Sequence, residues 1–173
     1  MRAEQPAPSP DLEAGEPIVV RTGPMSATEM MADIEDLPED APRVGIIMGS
    51  KSDMDVMEAA GEVLEQAGMR FEVRVMSAHR EPGVVADYCT NAKMRGLRVI
   101  IAGAGLSAAL PGVAAAHTEL PVIGVPLSGR LTAAGGLDAI LAIVQMPPGV
   151  PVGCVGLDNP RNAAHLALRI LGA

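Results

Sequence analysis

The sequence predicts a three-layer α/β sandwich around a central parallel sheet. From Arg43 onward, short aliphatic runs alternate with helical patterns, and the connections between them are short. Such runs, rich in β-branched residues, are typical of strands that are covered on both faces. Aromatic residues make up only 1% of the chain, so Ala, Val, Ile, Leu and Gly must fill the core. That composition favours helices packed closely on both faces of a parallel sheet.

Five strands and five helices are expected in alternation, joined by right-handed crossovers. The strands are predicted near residues 43–48, 71–76, 98–103, 121–126 and 151–156, and the helices near residues 53–67, 82–95, 107–117, 135–144 and 160–171. Gly68 is expected to end the first helix. The last helix is expected to have Asp158 or Asn159 as its cap and Pro160 at its first position.

The first 42 residues differ in composition from the rest. They hold seven of the fifteen prolines and ten acidic against two basic residues, whereas residues 43–173 carry eleven of each. We therefore expect an acidic, Pro-rich leader over residues 1–42 that is mostly disordered. Within it, Ser26–Glu29 is a capping-box pattern that predicts a short helix ended by Pro38. Met25 is an alternative start of the chain.

Composition and charge argue against several classes of function. The scarcity of aromatic residues and a pI of about 4.8 argue against base-stacking nucleic-acid binding. No apolar stretch approaches the ~20 residues of a membrane span, and the N-terminus does not resemble a secretory signal. We therefore expect a cytoplasmic protein with no membrane partner. Cys89 and Cys154 lack metal-ligand spacing and are expected to be reduced core thiols.

A polar turn, Gly49-Ser50-Lys51-Ser52-Asp53, follows the first predicted strand. In an open parallel sheet, a strand-to-helix turn lies at the carboxyl edge, where ligands bind. Gly49 permits an unusual backbone angle, and the amides at the helix N-terminus favour a phosphate. Ser50 can donate a hydroxyl, while Asp53 either accepts a bond from a sugar hydroxyl or only caps the helix. The turn predicts an anion site without the spacing of a Walker loop.

A second polar turn, Ser77-Ala78-His79-Arg80, follows the second predicted strand. Arg80 offers a fixed fork of donors that suits phosphate. His79 has an intrinsic pKa near neutrality, which suits proton transfer, although capping of the next helix is an alternative role. His117 and His165 are expected to be structural. Because turns after neighbouring parallel strands meet over one crevice, the two clusters together predict an active site.

A third turn, Ala102–Gly112, is long and rich in small residues. Its glycines would let backbone amides approach a ligand and let the segment close as a lid. The proline-rich segment Gln145–Val152 leads into the last strand and is a candidate for shaping the same pocket.

These segments, in this order, resemble one family: the N5-carboxyaminoimidazole ribonucleotide mutases, the small catalytic subunits of phosphoribosylaminoimidazole carboxylase. The resemblance covers roughly residues 43–171 and rests on five segments, namely residues 44–53, 77–80, 100–105, 121–126 and 144–147. It implies a flavodoxin-like fold, a homo-octamer and no metal or organic cofactor. It also implies a ribonucleotide-binding catalytic domain over residues 43–173.

The resemblance also implies roles for individual residues. His79 matches the catalytic histidine, and the residues expected at the ribonucleotide are Ser50, Asp53, Ser77, Arg80, Gly105 and Leu106. The implied chemistry belongs to purine (IMP) biosynthesis: a carbamate releases CO2, which is recaptured at ring carbon C4 while His79 moves a proton. An ATP-dependent synthetase that forms the carbamate is the expected pathway neighbour.

Three departures keep alternatives open. Mutases usually read Gly-Gly-Ala-Ala-His-Leu-Pro-Gly in the third turn, and here Ala109 occupies the histidine position. Ser107 and Ala109 lean toward the related branch that carboxylates aminoimidazole ribonucleotide directly with CO2, whereas Arg80 and Pro111 lean toward the mutase. The chain also stops at Ala173, short of the C-terminal helix that many members use in subunit packing, and the acidic leader is not a family feature.

Four functions therefore remain: the mutase, the direct carboxylase, a paralogue that acts on another nucleotide-like substrate, and a nucleotide-binding regulatory protein without activity. Intact His79 and Arg80 argue against the last of these.

Overall fold

The computed structural model describes residues 20–21 and 41–173, in which strands and helices alternate along the chain. The strands are β1 (Val20–Arg21), β2 (Val44–Met48), β3 (Phe71–Val75), β4 (Val99–Gly105), β5 (Val122–Leu127) and β6 (Gly153–Cys154). The helices are α1 (Met54–Gln66), α2 (Pro82–Thr90), α3 (Leu110–Ala116), α4 (Leu137–Val144) and α5 (Pro160–Leu171). Short 3-10 helices, Lys51–Asp53 and Ala134–Gly136, precede α1 and α4.

All strand pairs are parallel, in the order β1-β3-β2-β4-β5-β6. The five strands after residue 41 therefore have the order 2-1-3-4-5 of the flavodoxin-like fold. The order reverses at β2, which pairs with β3 on one side and with β4 on the other. A crevice opens at the carboxyl ends of strands at such a reversal. The predicted three-layer α/β sandwich is confirmed.

The core has two halves, one on each face of the sheet. Helices α1 and α5 cover one face, and α2, α3 and α4 cover the other. Successive strand residues point to opposite faces, so Ile46 joins the first half and its neighbour Ile47 joins the second. Every residue of β2 is buried, which explains why its sequence is a continuous apolar run.

The helix ends show how local sequence sets the boundaries. Gly68 adopts a φ of +67° and ends α1, as predicted. The Asn159 side chain caps α5 by accepting a bond from the Asn162 amide (3.1 Å). Asn159 is therefore the cap, and the neighbouring Asp158 carboxylate is free for a different contact.

Several boundaries differ from the predictions. Helix α3 begins at Leu110 instead of residue 107, and β6 spans only Gly153–Cys154 instead of residues 151–156. Helix α2 ends at Thr90 instead of residue 95, and the Asn91 side-chain amide closes it by donating to Asp87 O (3.0 Å). Strand β4 continues to Gly105 because it pairs with β5 as far as Leu127. The two-residue strand β1 was not predicted, since so short a pairing leaves no periodic pattern. The predicted helix between Ser26 and Pro38 lies outside the described residues.

The two cysteines are free thiols. Cys89 is buried on α2, and burial raises the pKa of its thiol to about 12. Cys154 is only partly buried, and burial raises its pKa as well. Both thiols are therefore protonated near neutral pH and poorly nucleophilic. Over residues 41–173, no helix is both long and apolar enough to cross a bilayer.

Candidate active site

A pocket of about 740 Å³ opens at the carboxyl edge of the sheet, over the reversal at β2. The loops that follow β2, β3, β4 and β5 line it. All the residues that the sequence placed at the site line this one pocket: Ser50, Asp53, Ser77, His79, Arg80, Gly105 and Leu106. The other two histidines do not: His117 and His165 are exposed and lie outside it.

The loop after β2 holds two hydroxyls and a carboxylate together. Ser50 Oγ accepts a bond from the Ser52 amide (3.3 Å) and another from Ser52 Oγ (2.9 Å), so Ser50 caps the short 3-10 helix. Asp53 stands at the start of α1, but its side chain makes no capping bond. The alternative role of Asp53 as a helix cap is therefore wrong, and its carboxylate remains available to a ligand.

The Asp53 carboxylate lies in a partly desolvated position. Burial raises its pKa above the ordinary 3.8, while hydrogen bonds from Ser50 and Ser52 and the positive charge of Arg80 act in the opposite direction. Desolvation is the largest of these causes, so the folded protein holds this carboxylate at a cost that a ligand's hydroxyl donor would reduce.

The loop after β3 is a tight turn around Ser77. The buried Ser77 Oγ accepts a bond from the Arg80 amide (3.4 Å), and Ser77 O accepts one from the Glu81 amide (2.8 Å). The turn leaves His79 and Arg80 exposed at the pocket. Glu81, and not His79, occupies the cap position of α2. The alternative that His79 caps this helix is therefore wrong.

Arg80 joins the first two loops. Its Nη2 donates to Gly49 O (2.8 Å), which fixes the guanidinium beside the Ser50–Asp53 turn. The guanidinium carries five N–H donors, so most of them remain for a ligand. Arg80 makes no ion pair with any residue of 41–173. Arg80 is therefore held in place by a neutral carbonyl, and the nearby Asp53 carboxylate interacts with its charge without forming an ion pair.

The third turn is shorter than its glycines suggested. Gly103 and Gly105 belong to β4, where a Cβ would lie 2.5 Å from Met57 Sδ and 2.8 Å from Leu127 O, respectively. These glycines allow close packing within the sandwich, and only residues 106–109 form the loop. The prediction of a long turn over residues 102–112 is wrong, because residues 102–105 belong to β4 and residues 110–112 to α3.

The short loop after β4 carries backbone strain. Leu106 and Ala108 have φ values of +54° and +35°, a left-handed conformation that is unfavourable for residues with a Cβ. Ala108 is buried and its amide donates to Gly105 O (2.9 Å). Strained residues of this kind cluster at ligand-binding sites, where the surrounding structure holds them in place.

Sequence reasoning missed one wall of the pocket. Residues 128–132, directly after β5, line it and bring in a second arginine, Arg130. The available signal was the pair Ser128-Gly129 at a strand end, the same two residue types as Gly49-Ser50 after β2 in the reverse order. Conversely, Gln145–Val152 does not line this pocket. This segment leads from α4 into β6, and helix-to-strand connections lie at the opposite edge of a parallel sheet.

The strand order and the pocket define a flavodoxin-like α/β protein with a pocket at the carboxyl edge of its sheet. The chain belongs to the AIR carboxylase family, whose model matches residues 43–173. It is similar to the N5-carboxyaminoimidazole ribonucleotide mutase of Pyrococcus horikoshii, with 53% identity over 136 residues that cover 79% of this chain and 76% of the relative.

Two further similarities bear on the function. The chain is 54% identical to the phosphoribosylaminoimidazole carboxylase of Saccharomyces cerevisiae over 132 residues, 76% of this chain and 23% of that much longer protein. Among solved structures, it is similar to the crystal structure of Treponema denticola PurE, with 32% identity and a TM-score of 0.66, over 76% of this chain and 80% of the other.

Proposed function

We propose that this protein interconverts N5-carboxyaminoimidazole ribonucleotide and 4-carboxy-5-aminoimidazole ribonucleotide in purine biosynthesis. The observation that carries the proposal is the convergence of His79 and Arg80 with the Ser50–Asp53 turn on one pocket of a family member. An imidazole beside an anion site and a carboxylate is a suitable layout for proton transfer on a bound nucleotide. The similarity to curated mutases supports this choice of substrate.

The proposed binding mode uses the two loops that Arg80 connects. The substrate phosphate lies at the N-terminus of the Lys51–Asp53 helix, within reach of Ser50 and of the guanidinium of Arg80. Asp53 accepts a hydrogen bond from a ribose hydroxyl. Ser77 holds the turn that carries His79, and the backbone at Gly105 and Leu106 closes the opposite side of the base.

The proposed reaction proceeds through CO2 held inside the pocket. The bond between the exocyclic nitrogen and the carboxyl carbon breaks, and that nitrogen takes a proton. CO2 then forms a bond to ring carbon C4, and C4 loses a proton. His79 donates the first proton and accepts the second, so the imidazole ends as it began. Holding CO2 beside its acceptor replaces a bimolecular encounter with an intramolecular step.

A second candidate is the direct carboxylation of aminoimidazole ribonucleotide. Ser107 and Ala109, in the turn where mutases usually have a histidine, favour it. Purified protein should be assayed with each nucleotide, with and without high bicarbonate. A mutase converts the carbamate without added bicarbonate, whereas a direct carboxylase needs the bicarbonate. Nucleotide binding without turnover under either condition would contradict both enzymatic proposals and leave a regulatory role or a paralogue that acts on another substrate.

We also propose that the protein works as a homo-oligomer, an octamer by family resemblance, in the cytoplasm. Leu137, Leu141 and Val144 form an apolar stripe on α4, and their exposures are 48%, 45% and 46%. Spacings of four and three residues place them on one face of the helix, an arrangement that favours packing against another surface. Sedimentation equilibrium that gives the mass of a single 17.8 kDa chain would contradict this proposal.

The proposed place in the pathway also implies a neighbour. The carbamate of the mutase substrate is formed from aminoimidazole ribonucleotide and bicarbonate, and an ATP-dependent synthetase is the expected supplier. The direct carboxylase would need no such supplier, so the bicarbonate assay distinguishes these two requirements as well.

A further inference from the structure

The loop after β5, residues 128–132, is held in one conformation by hydrogen bonds at both ends. At its start, Asp158 accepts two bonds from Ser128, one from the amide (2.8 Å) and one from Oγ (2.5 Å). Across its tip, the Gly129 amide donates to Thr132 Oγ1 (2.5 Å) and the Thr132 amide donates to Gly129 O (3.0 Å). The turn closed in this way presents Arg130 at its tip.

The backbone of Asp158 places its carboxylate beside Ser128. Its φ of +52° is left-handed, which is uncommon for a residue with a Cβ. Its amide donates to Pro126 O (2.9 Å), which attaches the residue to the end of β5. Because Asn159 caps α5, the Asp158 carboxylate is not needed as a helix cap. It accepts hydrogen bonds from Ser128 instead. A strained residue held by contacts to one neighbouring loop indicates that the position of that loop matters.

The charges of the pocket are unevenly distributed. Its charged lining residues are Asp53, Arg80 and Arg130. Neither arginine forms an ion pair with another residue of 41–173. Arg80 is attached to the loop after β2, whereas Arg130 follows β5, and β4 lies between those strands. Two strand spacings separate the two strand ends by roughly 10 Å. The pocket therefore has a guanidinium near each end, and its carboxylate, Asp53, is close enough to Arg80 to interact with that charge.

We propose that Arg130 binds the carboxylate of the nucleotide while Arg80 binds its phosphate, and that Asp158 is the positioning residue that holds Arg130 in place. This inference rests on the proposed function, because a carboxylated ribonucleotide carries two anionic groups that one guanidinium cannot both reach. A planar guanidinium matches a carboxylate with two parallel hydrogen bonds. Arg130 would then distinguish the carboxylated nucleotide from the product of CO2 loss.

The test compares two nucleotides that differ only in the carboxyl group. Calorimetry should measure the dissociation constants of 4-carboxy-5-aminoimidazole ribonucleotide and of aminoimidazole ribonucleotide for the wild-type protein and the variant Arg130→Gln. We expect the variant to bind the carboxylated nucleotide about 10- to 100-fold more weakly and the other nucleotide within about twofold of wild type. Arg169→Gln, at an exposed arginine on α5 outside the pocket, is the matched control and should change neither value.

Asp158→Asn tests the positioning role with the same pair of ligands. We expect Asp158→Asn to lose affinity for the carboxylated nucleotide alone, by a smaller factor of about three- to tenfold. The affinity of Arg130→Lys for this nucleotide should lie between those of wild type and Arg130→Gln. A purely structural defect would lower both affinities together and would also lower the melting temperature. An unchanged ratio of the two dissociation constants in Asp158→Asn would overturn the positioning role.

Equal losses for both nucleotides in Arg130→Gln, or no loss, would overturn the assignment of Arg130 and leave the proposed function standing as long as the wild-type protein converts substrate. A wild-type protein that binds neither nucleotide would instead overturn the proposed function and, with it, this inference. The two failures are therefore distinguishable in one set of titrations.

Discussion

Two regions of this protein use arginine in opposite ways, and strand β3 leads to both. Within and beside the strand lies a buried ion cluster, defined by Glu72, Arg74, Tyr88 and Arg95. Glu72 accepts from Arg95 Nη2 at 2.8 Å and lies 3.5 Å from Arg74 Nη2, while the Arg95 guanidinium lies 4.3 Å from the centre of the Tyr88 ring. In this cluster, the guanidinium groups contact a carboxylate and an aromatic ring of the same chain.

Beyond the end of β3, Arg80 is exposed at the pocket, and its guanidinium donates to the neutral carbonyl of Gly49. Arg130 lines the same pocket from the loop after β5. In the buried cluster, the protein compensates its own charges, because an unpaired charge in the interior is costly. At the carboxyl edge of the sheet, water solvates the exposed guanidinium groups, and an anionic ligand can replace that water. An arginine without a protein partner, in a pocket, is therefore a better indicator of a ligand than a buried arginine.

Among the pocket variants, His79→Asn should have the largest effect on turnover. It should not change the buried ion cluster. We expect turnover to fall by about 10²- to 10⁴-fold or more while nucleotide affinity stays nearly unchanged, since the variant loses only proton transfer. Steady-state kinetics and calorimetry measure the two quantities separately. His165→Asn, at an exposed histidine outside the pocket, is the control and should keep wild-type turnover. Comparable activity in His79→Asn would refute the role of His79.

In the buried ion cluster, Glu72→Gln should have the largest effect, and the quantity affected is the stability of the fold. Removing the carboxylate that faces both guanidinium groups should lower the free energy of unfolding by about 3–5 kcal/mol. The exposed pair Glu62–Arg161, with side chains 50% and 55% exposed, provides the control. Glu62→Gln should cost no more than about 1 kcal/mol. Urea denaturation of both variants gives the comparison, and similar losses would contradict the distinction between the two settings.

Arg80→Ala should weaken phosphate binding without weakening the fold. We expect a loss of ~2–3 kcal/mol in nucleotide binding, for a lost charge-assisted hydrogen bond, and little change in unfolding free energy. Both nucleotides of the Arg130 experiment should lose affinity equally, because both carry the phosphate. The same substitution at Arg169 is the control. Unchanged affinity in Arg80→Ala would count against a phosphate site at this loop.

Asp53→Asn should give the smallest change. It should raise the free energy of unfolding slightly and weaken nucleotide binding. Burial raises the pKa of Asp53, so its ionised form destabilises the folded state above that pKa. The variant should therefore be more stable near neutral pH, by a few tenths of a kcal/mol because the site is partly solvated, while binding nucleotide more weakly.

The stability gain of Asp53→Asn should shrink as the pH falls through the raised pKa toward 3.8 and vanish below it, where the aspartate is protonated in both the folded and the unfolded state. Thermal melts at a series of pH values test this sign. A gain that grows with falling pH would show that desolvation is not the dominant effect on Asp53.

Much of the fold and site could be predicted because the signals are local. Strands β2, β4 and β5 are aliphatic runs, and Gly68 and Asn159 end or begin helices by their own chemistry. The strand-end rule then placed the Ser50 and His79 turns at one edge without knowledge of any contact. Local pattern was less informative about glycine, because Gly103 and Gly105 serve packing against Met57 and Leu127, partners that lie far away in sequence.

By itself, the sequence determined the alternation of strands and helices, the carboxyl-edge turns and the residue types that those turns carry. Hydrophobic period and turn chemistry are properties of neighbouring residues. Only the tertiary structure decided that Asp158, which precedes the cap of α5, bonds to the loop after β5, and that Arg130 joins Arg80 in one pocket. Those facts depend on strand order and on pairing across long sequence separations. No local pattern encodes them, because many chain paths with the same local pattern would bring different loops together.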